Sequence, residues 1–215
     1  DGIVSIALNN FELNSKTEIL NSNNKWHKNT KIIITAIILL TTCLALIQVT
    51  LPLDFVKGGV LRNSISKVST SYIISGQLIL LFIFQWPIGN WLSTKGRLFG
   101  LKFSIINFGI SSFLLFISSY YQNYGLFIML LAIIFCSIGT SSFLPTSSDI
   151  VFRIAPINKK GLALAILSQC FAIGYFIGPL ISGRILDIFG NAAFIWLTIA
   201  SVCFFITFFL FDKKY

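Results

Sequence analysis

The sequence predicts an all-α polytopic membrane protein of six spanning helices, and three observations carry that prediction. Of 215 residues, 55% are apolar and only 11% are charged, where a soluble domain carries about 25% charged residues. The mean hydropathy is +0.85. Apolar runs long enough to cross a bilayer, which takes roughly 20 residues at about 1.5 Å rise each, recur six times. None of them alternates with period two, so helices rather than a barrel must satisfy the backbone in lipid. This composition excludes a soluble enzyme and a disordered chain alike.

Residues 1–30 form a polar head rich in Asn, Ser, Lys and Glu. Its one apolar stretch, Ile3 to Leu8, is too short to span and follows no cationic segment, so it is not a signal peptide. The chain begins with Asp rather than Met, so a truncated or processed start is expected, with the head as an interior linker. Residues 31–215 then form the bundle. The spans are expected at about Ile32–Leu53, Ser71–Leu92, Leu98–Ser119, Leu126–Ser147, Gly161–Ile188 and Ala192–Phe211.

Direction follows from the basic residues. Lys16, Lys25, Lys28, Lys31, Lys95, Arg97, Lys102, Arg153, Lys159, Lys160, Lys213 and Lys214 fall on one side; Lys57, Arg62, Lys67 and Arg184 fall on the other. This bias places both termini in the cytoplasm; the expected location is the cytoplasmic membrane of a bacterium. Tyr120, Tyr121 and Tyr124 then sit at the outer interface, where amphipathic rings prefer to lie. The net charge of +9 is spread between apolar runs, which makes it a topology signal rather than a nucleic-acid patch. Cys43, Cys136, Cys170 and Cys203 lie singly in apolar runs and read as packing residues, and His27, the one histidine, cannot build a metal site.

An internal echo joins the second and fifth helices. Pro87, Gly89, Ser93 and Gly96 close one, and Pro179, Gly183, Asp187 and Gly190 close the other, with the same glycine spacings. These helices hold equal places in two sets of three, and an odd number inverts the second set. Inverted repeats of this kind are how many secondary transporters are built.

Two stretches carry a family resemblance. Gly89-Asn90-Trp91-Leu92-Ser93-Thr94-Lys95-Gly96-Arg97 resembles the loop signature between the second and third helices of major facilitator superfamily transporters. Gly89, Gly96 and Arg97 match; Ser93 stands where an aspartate is usual and Thr94 where a basic residue is usual. Gly174-Tyr175-Phe176-Ile177-Gly178-Pro179-Leu180-Ile181-Ser182-Gly183 is similar to the family's fifth-helix signature, with Ser182 in place of a glycine. The family has twelve helices in two halves, so the resemblance implies one six-helix half. The polar head, the worn loop motif and the end of the chain shortly after the sixth helix point to the second half, whereas the Gly-Pro signature is best known from the first half of exporters.

The resemblance implies that Arg97 pairs with an acid on the fourth helix when the inner gate closes. Asp149 is the candidate, with Arg153 one turn on. Gly174, Gly178, Pro179 and Gly183 form a packing or kink motif; Arg184 and Asp187 read as a surface pair. The helix interiors hold no Asp, Glu, Lys, Arg or His at mid-membrane, which leaves Gln48, Gln77, Gln85, Asn107, Thr140 and Gln169 as the polar candidates there. In the family the first, second, fourth and fifth helices line the cavity, which makes Gln48, Gln77, Thr140 and Gln169 the substrate-pathway candidates.

The expected function is secondary active transport of a small solute by alternating access, export included. The alternatives are a free-standing six-helix homodimer and a non-transporting scaffold or receptor. No catalytic residue, metal or cofactor is expected, and no GxxxxGK[ST] supplies an ATP site. The expected partners are the bilayer, a small-molecule substrate, and the other six-helix half or a second copy; no nucleic acid is expected.

Overall fold

A computed structural model describes residues 30–95, 97–155 and 159–212. The polar head up to residue 29, His27 within it, and Gly96 of the loop motif lie outside the described residues. Six helices follow one another: α1 (Thr30–Lys57), α2 (Lys67–Lys95), α3 (Arg97–Tyr120), α4 (Gly125–Ile154), α5 (Lys160–Phe189) and α6 (Ala193–Asp212). The first five are long and apolar enough to cross a membrane. The sixth has 20 residues, about 30 Å of helix, which matches the hydrocarbon thickness.

The inverted repeat is written into the helix positions. α4, α5 and α6 begin at 125, 160 and 193, following α1, α2 and α3 (30, 67 and 97) by 95, 93 and 96 residues. Three of the four main pairings obey the same exchange. α1 packs on α5 and α2 packs on α4, one contact being the image of the other, while α3 packs on α6, which is its own image. The most extensive pairing breaks the exchange, since its image, α6 along α1, is barely in contact; it lays α3 along α4. There Gly139 admits the Phe108 ring, whose nearest atom is 2.9 Å from where a Cβ would sit, and the Ser111 hydroxyl donates to the Ala132 carbonyl at 2.9 Å.

α5 meets α1 along a narrow stripe of small and apolar residues: Ala163, Leu167, Cys170, Gly174, Gly178, Ser182 and Leu186, spaced three or four apart, are its buried residues. A Cβ on Gly174 would lie 3.0 Å from the Thr41 carbonyl oxygen, and one on Gly178 3.4 Å from the Ala45 carbonyl carbon. Small residues thus let the two backbones touch, the usual device of helix packing in lipid. Gly183 and Gly89 face open space, so of the four motif positions in α5 only Gly174 and Gly178 pack on α1. Pro179 is exposed, and α5 runs through it without a break. All four cysteines are buried thiols.

α2 is the least covered helix. Only Thr70 and Leu92 of it are buried, while Tyr72, Leu78, Ile79, Phe82, Ile83 and Trp86 are exposed. Its image α5 likewise exposes Ile173, Phe176, Leu180 and Ile181.

Gly174→Val is expected to lower stability by about 1–3 kcal/mol, because backbone rather than a flexible side chain opposes the new atoms. Gly183→Ala should be neutral or slightly stabilising, as alanine is the better helix former. Thermal unfolding of the purified protein in detergent separates the two.

Candidate functional site

The ends of the bundle are built differently. At the end that carries the α1–α2 loop, Gly58 turns the chain with φ 87°, a conformation that favours glycine, and its amide caps α1 on the Asp54 carbonyl at 2.9 Å. Gly59 then passes so close to α3 that a Cβ would lie 2.6 Å from the Ser119 Cα. The Leu61 amide donates to the Ser119 carbonyl at 2.8 Å. The loop is thereby laid onto the end of α3, and Arg62 points back into the body.

Arg62 there meets Asp54. Its Nη2 donates to Asp54 Oδ2 at 2.8 Å and to the Asp54 carbonyl at 3.2 Å, and its Nη1 donates to Ser118 Oγ at 2.7 Å. Trp196 of α6 donates its indole N–H to the same carboxylate oxygen at 3.2 Å. The side chains of Arg62 and Asp54 are 3% and 0% exposed. Asp54 Oδ1 and Arg62 Nε find no partner among the described residues. This cluster corrects two sequence expectations. α1 continues past its expected end at Leu53 and takes in Asp54 in its last turn, and Arg62 is a buried partner rather than an exposed loop cation. The signal was there in part: Asp54 and Arg62 flank a Gly58-Gly59 turn that can fold one back on the other.

Lys57 and Asp187 form a second bridge at this end, Nζ to Oδ1 at 3.5 Å. Asp187 thus joins α5 to α1 instead of serving Arg184 on its own helix. Tyr120, Tyr121 and Tyr124 are exposed at the same end.

At the opposite end Asp149 accepts from Arg153 Nε at 2.9 Å, one turn away, with side chains 40% and 59% exposed. Arg97 opens α3, and the first turn of α3 presses on α4: a Cβ on Gly100 would lie 2.6 Å from Thr146 Oγ1. The fold therefore brings Arg97 and Asp149 to one end of the body. Ser93 is exposed and its hydroxyl returns to the Asn90 carbonyl at 2.7 Å. Trp91, Phe99 and Phe103 stack and abut beside it, with ring centroids 5.2–6.2 Å apart.

The pathway candidates separate. Gln48 on α1 is exposed and accepts a hydrogen bond from the Tyr175 hydroxyl of α5. Gln169 on α5 and Gln85 on α2 are exposed too. Gln77 is half-buried, its Nε2 3.7 Å from Cys136 Sγ. Thr140 is buried and gives its hydroxyl to the Cys136 carbonyl of its own helix at 2.9 Å, so it faces the interior of the bundle. Asn107 likewise donates to the Phe103 carbonyl at 2.7 Å. Tyr175 is the residue that sequence reasoning missed on this face.

Removing one member of a buried ion pair leaves an uncompensated charge, about 3–5 kcal/mol, while replacing both with apolar groups is often neutral. Asp54→Leu and Arg62→Met should therefore each destabilise strongly, and the double variant should be more stable than either. Denaturant titration in detergent reads the order.

The model of the Major Facilitator Superfamily matches residues 33–215. The chain is 27% identical over 192 residues to the multidrug resistance protein MdtG of Escherichia coli O1:K1 / APEC, and equally to that of strain K12 / DH10B, covering 88% of this chain and 46% of each relative. It spans about half the length of the curated relatives it matches. No solved structure matches it significantly. An integral multi-pass body with the superfamily's helices, a superfamily of transporters rather than enzymes, places the chain: it belongs to the Major Facilitator Superfamily.

Proposed function

We propose that this chain is one half of a secondary active transporter that moves a small, hydrophobic solute outward by alternating access. The observation that carries it is the set of uncovered amides at membrane depth. Gln48, Gln85 and Gln169 are exposed, and each lies within six residues of the middle of its helix, about 9 Å from mid-membrane. Burying an amide in hydrocarbon without a partner costs roughly 2–7 kcal/mol, and Tyr175 meets that need only at the Gln48 oxygen. Lipid is therefore a poor cover for this face; water in a cavity, or a second helical body, is a good one. The bare apolar faces of α2 and α5 beside these amides suit a second six-helix unit, for which the other half of the relatives' length has room. An apolar, amide-dotted wall suits a neutral or lipophilic solute, and the relatives named multidrug resistance proteins support that class.

On this view α2–α3 and α4–α5 turn at the cytoplasmic side, with both termini and the polar head, a stretch of the loop between halves, also there. The worn motif around Ser93 fits the second half. Two of the four cations assigned outside, Arg62 and Lys57, are paired with Asp54 and Asp187, which weakens their pull against this orientation. The Arg97–Asp149 approach serves as the inner gate, and the Gly174–Gly178 contact holds α5 to α1 as the body rocks.

Efflux of ethidium by the intact protein in energised vesicles tests the proposal. Gln48→Leu and Tyr175→Phe are each expected to raise KM about two- to tenfold, the effect of one lost hydrogen bond, with Vmax kept. Gradient-independent ethidium movement would remove the coupled exporter. Arg97→Glu should expose cysteines placed in the inner cavity, and Asp149→Arg should restore their protection; no change in the single variant sinks the gate. The homodimer predicts instead that Trp86→Cys cross-links two identical chains.

A further inference from the structure

The inverted repeat relates the two ends of the body residue by residue. α4 begins 95 residues after α1, and Asp149 lies 95 residues after Asp54. Each acid thus holds the same place near the last turns of the leading helix of its triplet, one at each end of the body. The neighbours correspond as well. Trp196, the fourth residue of α6, donates to Asp54; Gly100, the fourth residue of α3, presses on Thr146, three residues before Asp149.

The two ends differ in one respect. The Asp54 side chain is fully sealed and that of Asp149 is 40% exposed. Opposite charges attract strongly only while water is kept out. The hold of Arg62 on Asp54 is therefore tied to whether its end of the body is shut. The pair is also placed to transmit that state: Arg62 sits in the loop that leads into α2, the helix with the barest face, while Ser118 and Trp196 fix it to α3 and α6.

We propose that Asp54, held by Arg62 and Trp196, is the outer latch of the transport cycle and the inverted-repeat counterpart of Asp149 at the inner end. It rests on the transporter reading above. Closed, it pins the α1–α2 loop and the start of α2 to α3 and α6. Opening admits water, weakens the ion pair and frees α2 to tilt. Asp54 and Arg62 are positioning residues and touch no solute.

Single cysteines at Ser64 and Ser93, both exposed and lying at the two ends of α2, report on the two ends. The four native cysteines are buried, so a membrane-impermeant maleimide reads the introduced thiol in the intact protein in nanodiscs, where both faces are accessible. Asp54→Asn is expected to speed labelling at 64 and slow it at 93, each by roughly fivefold, the low end of ordinary coupling. Asp149→Asn should do the reverse. Trp196→Phe removes only the indole donor and should shift both rates as Asp54→Asn does, by roughly twofold; it decides the matter if Asp54→Asn does not assemble. If Asp149→Asn moves the rates in opposite senses while Asp54→Asn and Trp196→Phe move neither, the outer latch is wrong and alternating access stands. If no variant moves them in opposite senses, or both ends loosen together, the latch and the transporter reading fall together.

Discussion

Hydrocarbon offers a polar group no partner, and that shortage governs how this chain spends its hydroxyls, amides and charges. Most hydroxyls are satisfied locally. Ser104, Ser118, Thr140, Ser142 and Ser147 each donate to a carbonyl three or four residues earlier in their own helix. Such groups can line a helix interface without requiring anything of the helix opposite. The buried charges have no such local answer, so Arg62 is supplied from a loop and draws Ser118 and Trp196 around the Asp54 carboxylate. What remains uncovered, the amides of Gln48, Gln85 and Gln169, then becomes informative, because the fold has covered so much else.

The repeat shows how little of a packing solution has to be copied. In the α1–α5 pair the backbones meet through glycines, and the Thr41 hydroxyl lies 3.4 Å from the Cys170 carbonyl across the interface. In its image, α4 against α2, serine hydroxyls take the place of the glycine contact: Ser137 lies 3.5 Å from the Gln77 carbonyl and Ser141 3.2 Å from that of Leu81. Thr41 and Ser137 are 96 residues apart, close to the offset of their helices. The same crossing is kept by two chemistries, so the geometry is symmetric while the sequence shows only a faint echo.

Helix number and approximate bounds were legible because apolar runs of spanning length can do little else. All ends but one were short by one to seven residues, most at Ser147 against Ile154, since helices continue into the interface where hydropathy no longer marks them; α6 alone starts one residue later than expected, at Ala193. Asp54 was not legible for a related reason. A hydropathy boundary stops at the first charge, and whether that charge is inside depends on an arginine eight residues away folding back. Nor could spacing separate Gly174 and Gly178 from Gly183, as all three sit at helical intervals of small residues; only the direction of the α1 contact does so. Thr140 and Gln48 looked equivalent as polar residues on cavity helices, and differ because one faces the bundle axis and the other its surface.

The separations within the Asp54 cluster order its assembly during synthesis. Asp54 and Arg62 emerge eight residues apart, so their charges can pair inside the α1–α2 hairpin as soon as it forms. That offsets part of the penalty of carrying either into the lipid. Ser118 follows Arg62 by 56 residues and Trp196 follows Asp54 by 142. The hairpin therefore waits, neutral but incompletely bonded, until α3 and finally α6 have entered. α6 closes the cluster that α1 began, and this makes the docking of α6 a checkpoint for the six-helix body.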